Sequence, residues 1–344
     1  MRNLKINILY DFKDGPWGGG NQFLKALRKG LIQKGAYDDN VESADVIIFN
    51  ANPDSIKKYL LTLFKYAGSK IIIMRFDGPI YEARKDNLFY DNILFKISEK
   101  FSDGNVFQSE YSRARCKHYG LKTKKFEEVI INAPDSEVFN NKVRVNKKPD
   151  EKIKLITTSW SANPRKGFDV LEFLDNSLDF AKYDFTFVGN SPIQFKNIQH
   201  IPPVESKKLS LLYQEHDIFI STSLFEACSN SVIEAVHCGC IPLLRNNSSH
   251  PELVKSDPRF LFEGKDDILD KIDSLTKLDH FNMHIGLSDF TIVTSQYFEF
   301  ISGIKCHKNH KKTNGLFFSL GVFVLLYAKK LLECLSNKCI YSTN

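Results

Sequence analysis

Short apolar runs recur along this 344-residue chain and alternate with segments of helical spacing. Ile6-Tyr10, Val46-Asn50, Ile71-Arg75, Val106-Gln108 and Val129-Asn132 read as one series of strands. Lys154-Thr158, Phe185-Gly189, Ile218-Thr222 and Ile241-Leu244 read as a second. The runs are continuous rather than alternating, as strands covered on both faces require. Phe23, Leu24, Leu27 and Leu31 illustrate the helical spacing between them. The alternation predicts an α/β fold with parallel sheets wound on both sides.

The series break once, at Asn140-Lys152, where NNKVRVNKKPDEK is polar and charged. The expected organisation is a first domain over 1–140, a linker over 141–152, a second domain over 153–295 and a C-terminal tail with helices over 296–344. Two doubly wound units would then face each other across a cleft. Chemistry is expected beyond the carboxyl ends of the strands.

Net charge is +6, and all of the excess lies after residue 304: seven Lys against one acid, Glu333. The neutral remainder argues against nucleic acid as a partner. Seven scattered cysteines without CxxC spacing suit reduced thiols. The amino terminus reads as a buried strand rather than a signal peptide, so a cytoplasmic location is expected.

Four strand ends carry candidate chemistry. Asp14-Gly15-Pro16-Trp17-Gly18-Gly19-Gly20-Asn21 follows the first strand. Gly19 and Gly20 there admit either a ligand near a helix N-terminus or a flexible turn with Asn21 as N-cap. Asp77, in Arg75-Phe76-Asp77-Gly78-Pro79, is placed to accept from a sugar hydroxyl or to act as a base, although the sequence also suits a turn. Arg165 and Lys166, in Ser159-Trp160-Ser161-Ala162-Asn163-Pro164-Arg165-Lys166-Gly167, suit a diphosphate or a solvated loop.

The fourth strand end leads through Phe225-Glu226-Ala227-Cys228 into Ser229-Asn230-Ser231-Val232-Ile233-Glu234-Ala235. Ser229, Asn230 and Ser231 would open a helix whose free N–H groups meet a phosphate. Glu226 precedes the helix and Glu234 lies within it. Ser231 and Glu234 also have capping-box spacing, a purely structural reason for the second acid.

Glu226 and Glu234 match the E-x7-E pattern of retaining GT-B glycosyltransferases, family GT4-like (glycosyl transferases group 1). Cys238-Gly239-Cys240-Ile241-Pro242 resembles the family's C-G-x-P strand, Asn132-Ala133-Pro134-Asp135 its interdomain loop, and Phe187-Val188-Gly189 its V-G strand end. The resemblance covers about residues 1 to 300 and is sharpest in the second half. It implies two Rossmann-like domains and a hexosyl-type transferase using a nucleotide-diphosphate sugar as substrate, with no cofactor and no metal. Glu226 would contact the transferred sugar as a catalytic group with Asp77. Glu234 would hold the donor ribose, and Lys166 the diphosphate. Arg165, Ser229, Asn230, Ser231, Gly189, Gly19 and Gly20 would complete the donor site. The family's arginine five residues before the lysine is Ser161 here. The acceptor would be a glycan or a lipid-linked acceptor in surface polysaccharide or glycoconjugate synthesis. A GT-B nucleotide-sugar epimerase and a non-catalytic sugar-binding subunit are the alternatives.

The tail adds Leu316-Phe317-Phe318-Ser319-Leu320-Gly321-Val322-Phe323-Val324-Leu325-Leu326-Tyr327-Ala328 between lysines. As a helix it is about 20 Å long, short of the roughly 30 Å of a hydrocarbon core. Two readings stand: peripheral attachment of residues 305–335 to an anionic membrane surface on its inner face, or packing on a domain.

Overall fold

The computed structural model describes residues 4–15, 17–84, 87–144, 151–278, 285–306, 319–327 and 329–330. In the first half β1 (Ile6–Leu9), β2 (Val46–Asn50), β3 (Ile71–Phe76), β4 (Gly104–Phe107) and β5 (Glu127–Val129) alternate with helices. These are α1 (Gly19–Gln33), α2 (Ile56–Tyr66), α3 (Ile80–Arg84), α4 (Phe89–Phe101) and α5 (Glu110–His118). The second half has β6 (Ile153–Ser159), β7 (Tyr183–Gly189), β8 (Gln199–Ile201), β9 (Ile218–Ser221), β10 (Ile241–Arg245) and β11 (Leu261–Phe262). Its helices are α6 (Phe168–Ser177), α7 (Ser206–Glu215), α8 (Asn230–His237), α9 (His250–Leu253) and α10 (Ile268–Leu275), and α11 (Phe290–Lys305) follows.

Among the described residues every strand pairing is parallel. The first sheet has the order β1-β2-β3-β4-β5, the second β11-β10-β9-β6-β7-β8. The second sheet reverses direction between β6 and β9, which open a crevice at their carboxyl ends. Both strands are there because their residues are apolar on both faces: Leu155, Ile156, Ile218, Phe219 and Ile220 are all buried. The described structure is thus a mixed α/β fold of two doubly wound sheets, as the alternation predicts.

Three apolar clusters hold it together. One fills both faces of the second sheet. Two cover the opposite faces of the first. Phe290, Val293, Tyr297, Ile301 and Ile304 of α11 belong to a first-sheet cluster. The chain therefore crosses back, and the boundary drawn at 295/296 falls inside a helix that packs on α1. At Gly30 of α1 a Cβ would meet Thr294 Oγ1 at 2.2 Å, so the two helices touch backbone to side chain.

Two local expectations change, and a third falls partly outside the described residues. The run Val129-Asn132 is not a strand over its length: β5 ends at Val129, because it is an edge strand paired only with β4, and Asn132 continues into the interdomain loop. The short edge strands β8 and β11 lack an apolar run long enough to announce them. The linker expected over 141–152 has residues 145–150 outside the described residues.

Much of the tail segment also lies outside them. Residues 319–327 are helical. Val322 is buried, and Phe323 and Leu326 pack with it on the α2 and α4 side of the first sheet. The other side of this helix leaves Leu320, Val324, Leu325 and Tyr327 exposed. Among the described residues no helix is long and apolar enough to cross a membrane.

Candidate active site

A cavity of about 510 Å³ lies between the two sheets, lined from both halves of the chain. Glu226, Asp77, Arg165, Lys166, Ser229, Asn230, Ser231, Glu234, Gly189, Gly19 and Gly20 all line it. Folding thus brings these eleven sequence-predicted site residues to one cavity. The loops leaving β6 and β9 at the reversal, together with α8, supply seven of the eleven.

Lys166 ends a 3-10 turn (Pro164–Lys166) whose start is capped by Asn163 accepting from the Arg165 N–H. Thr222 Oγ1 donates to the Lys166 carbonyl at 2.8 Å, tying the two loops together. The Lys166 ammonium then reaches Glu226 Oε1 at 2.6 Å, with 30% and 18% of the two side chains exposed. Burial pushes the Glu226 carboxyl up. The Lys166 charge, the nearby His250 and hydrogen bonds from Lys166 and Ser223 outweigh it and hold the group below the usual carboxylate value. His250 is fully buried beneath this pair, hydrogen-bonded to Ser221 Oγ at 3.1 Å and to the Arg245 carbonyl at 2.9 Å. Its burial lowers its basicity against the pull of Glu226.

Glu234 is different. It is 7% exposed, and burial alone raises its carboxyl to about 8. The capping box allowed by the spacing does not form: the cap of α8 is Ser229, which places Val232, not Glu234, at the third helical position. Among the described residues Glu234 has no hydrogen-bond partner, yet it faces the cavity. A buried, unpartnered carboxyl beside a cleft is suited to receive hydroxyls from a ligand.

The helix N-terminus beside it is held from the other domain. Asn132 Nδ2 donates to Asn230 Oδ1 at 3.0 Å. α1 comes so near that a Cβ on Gly19 would stand 2.5 Å from Asn230 Nδ2. Glycine at 19 is therefore required for close approach. α1 starts at Gly19, with Gly18 as cap, so Asn21 is not the N-cap; its side chain instead pins the Lys13 backbone. Gly189 ends β7 at φ 132°, where a Cβ would collide with the Ser159 carbonyl at 1.9 Å.

Arg165 lines the cavity, but its guanidinium donates to the Glu82 carbonyl of α3 and stacks 5.3 Å from the Phe225 ring. It spans the cleft toward the first domain in this state. Asp77 stands just past β3 with 38% of its side chain exposed. It pairs with Arg75 and accepts from Asn50 Nδ2 at 2.9 Å.

Arg75 is the residue that sequence reading passed over. It is fully buried and donates to Asn50 at 2.5 Å, Gln108 at 3.0 Å, Asn132 at 2.8 Å, and to Asp77. Phe23 lies against its guanidinium at 4.5 Å. The signal was present: Asn50, Gln108 and Asn132 each follow or end an apolar run, as polar residues at one shared sheet edge. Together they connect Asp77 to the α8 N-terminus through Asn132.

Among the described residues no group of three or more His, Cys, Asp or Glu side chains is arranged to hold a metal ion. Cys116, Cys228, Cys238, Cys240 and Cys306 are unpaired thiols.

Comparison with known proteins places this geometry. Residues 140–286 match the family "Glycosyl transferases group 1". A glycogen synthase of Protochlamydia amoebophila is 27% identical over 169 residues, 44% of this chain; the match spans only about a third (34%) of that relative's length. Sucrose-phosphate synthase from Thermosynechococcus elongatus superposes with a TM-score of 0.65 at 13% identity, over 89% of this chain and 100% of that one. The Anabaena protein HepE, solved with UDP and glucose, gives 0.63 at 14% identity, over 88% and 98%. The chain therefore has the two-domain GT-B fold, and residues 140–286 of its second half are similar to the glycosyl transferases group 1 family.

Proposed function

We propose that this chain is a glycosyltransferase that moves a hexosyl group from a nucleotide-diphosphate sugar to a glycan or lipid-linked acceptor. The carrying observation is the Lys166–Glu226 ion pair at the sheet reversal, beside the α8 N-terminus and the unpartnered Glu234. The family match and neighbours such as HepE with UDP-glucose support a nucleotide-sugar donor.

In this reading Glu234 takes the ribose hydroxyls. The Ser229–Ser231 N–H groups and Lys166 take the diphosphate. The departing charge is neutralised by these groups rather than by a divalent ion. An arriving diphosphate competes with Glu226 for the Lys166 ammonium and turns the Glu226 carboxylate toward the sugar. Glu226 lies on the donor side and Asp77 on the first-domain side of the cavity. Asp77 takes the proton of the attacking hydroxyl, or orients it. Retention of configuration follows from the E-x7-E resemblance. The product belongs to surface polysaccharide or glycoconjugate synthesis.

The exposed Leu320, Val324, Leu325 and Tyr327, with lysines dense on both sides in the sequence, support peripheral attachment to an anionic membrane. Sedimentation with phosphatidylglycerol vesicles checks this: Leu325→Glu combined with Val324→Glu is expected to abolish binding, and equal binding refutes it.

Incubation with UDP-glucose, UDP-galactose, UDP-N-acetylglucosamine and GDP-mannose over a mixed oligosaccharide pool tests the activity. Acceptor-dependent nucleotide release and a product heavier by one hexosyl unit are expected, and both persist in EDTA. Undiminished transfer by Glu226→Ala overturns the site. Interconversion of donor sugars without an acceptor selects the epimerase reading instead.

A further inference from the structure

The chain has two tryptophans, Trp17 and Trp160, and both stand on the rim of the same cleft. They come from opposite domains. Trp17 lies in the loop between β1 and α1; Trp160 directly follows β6. Their ring centroids are 5.8 Å apart with planes inclined at 40°. Yet 49% of Trp17 and 43% of Trp160 remain exposed. Each ring thus keeps a large apolar surface in water, which a ligand gains by covering.

Their positions are fixed from the backbone. Asn190 Nδ2 donates to the Trp160 carbonyl at 2.6 Å. Gln22 Nε2 donates to the Gly15 carbonyl at 3.2 Å, holding the loop that bears Trp17. The Trp160 indole lies over Gly18, where a Cβ would stand 3.5 Å from the ring.

The donor has its own groups. The apolar part of the cavity formed by Phe187, Val188, Pro203 and Val204 belongs to the second domain alone, as do Glu226, Lys166 and Glu234. A nucleotide held there has no need of Trp17. Asp77 and the first turn of α1 line the cavity from the first domain, opposite these groups. The Asp77 carboxylate lies 3.8 Å from where a Gly20 Cβ would be, so the acid and the Trp17 loop flank the same entrance.

We propose that Trp17 and Trp160 form a stacking platform for a pyranose ring of the acceptor. This rests on the glycosyltransferase reading and narrows it to acceptors that already end in a sugar. A pyranose has an apolar C–H face, which an indole covers, and a rim of hydroxyls. Gln22, Asp77 and Asn163 line the same cavity and meet the rim.

The two rings are also the chain's whole tryptophan fluorescence, so the test reads them directly. Wild type, Trp17→Ala, Trp160→Ala and the two Phe variants are titrated with UDP, ADP and GDP by calorimetry. With the tightest nucleotide present, maltose, cellobiose and methyl β-glucoside are then titrated by fluorescence and by calorimetry. The expected result is a fluorescence change in wild type and about tenfold weaker sugar binding in each Ala variant. Each Phe variant stays within about threefold, and nucleotide affinity is unchanged throughout. Sugar affinity equal to wild type in both Ala variants overturns the platform, as does a wild type that none of the sugars perturbs. A parallel loss of nucleotide affinity in the Ala variants assigns the rings to the base and also overturns it. A wild type that binds none of the three nucleotides overturns the transferase reading itself.

Discussion

Glu234 offers a stability experiment that needs no substrate. Burial raises its carboxyl from 4.5 to about 8 in the folded chain. The folded state therefore holds a proton that the unfolded state releases above about pH 4.5. The stability this group contributes is full below the unfolded value and is lost as pH rises toward the folded one. Over that interval each pH unit costs about 1.4 kcal/mol. With the full shift, the loss is about 2 kcal/mol near pH 6 and about 4 kcal/mol near pH 7.5. Glu234→Gln keeps the shape and removes the titration. Its melting temperature is expected to match wild type, up to a constant offset, near pH 4. It should pull ahead steadily to pH 7.5, at roughly 2–4 °C per kcal/mol for a domain of this size. Differential scanning calorimetry of both proteins across this range is the assay. A difference that stays flat with pH refutes the argument that Glu234 is buried without a partner. Saturating nucleotide should shrink the difference, because ribose hydroxyls donating to the carboxylate stabilise its charged form.

Three further outcomes follow from other contacts. Lys166→Met removes the cation that holds Glu226 ionised, so burial prevails; the Glu226 titration, followed by carbon NMR of labelled glutamate, is expected to move upward, and an unchanged titration refutes the role given to Lys166. Arg75→Met strips donors from Asp77, Asn50, Gln108 and Asn132 at once, and is expected to cost about 3 kcal/mol in urea unfolding of the first domain. Glu252 of α9 accepts from the Glu110 and Tyr111 N–H groups at 2.7 and 2.6 Å, capping α5 across the domain boundary. Glu252→Ala is therefore expected to lose about 1 kcal/mol and to speed hydrogen exchange in the first turn of α5 while leaving β6 and β9 protected.

Much of this was legible in the residues. Ile71 to Met74 can only be a buried strand, and nine such runs with helical spacing between them leave few folds besides paired parallel sheets. The loop after β9 was legible too, since Ser229-Asn230-Ser231 before Val232-Ile233 is chemistry that starts helices. Local sequence decides such features because backbone hydrogen bonding and side-chain size act between near neighbours. Edge strands such as β11 escaped because two residues carry no period.

Tertiary structure alone decided the rest. Arg75 and Asn132 are 57 positions apart, and no local rule joins them. The return of α11 to the first sheet depends on which apolar face remains uncovered after both domains have formed. The capping box at Ser231 and Glu234 was a valid local solution, overridden when Ser229 became the cap and the α8 N-terminus was placed against Gly19 and Asn132. Glu234 was left without the partner its spacing allowed. Spacing fixes which groups can meet along one helix; only the packing of two domains fixes which of them face a cleft, what burial does to their charge, and what stands across from them.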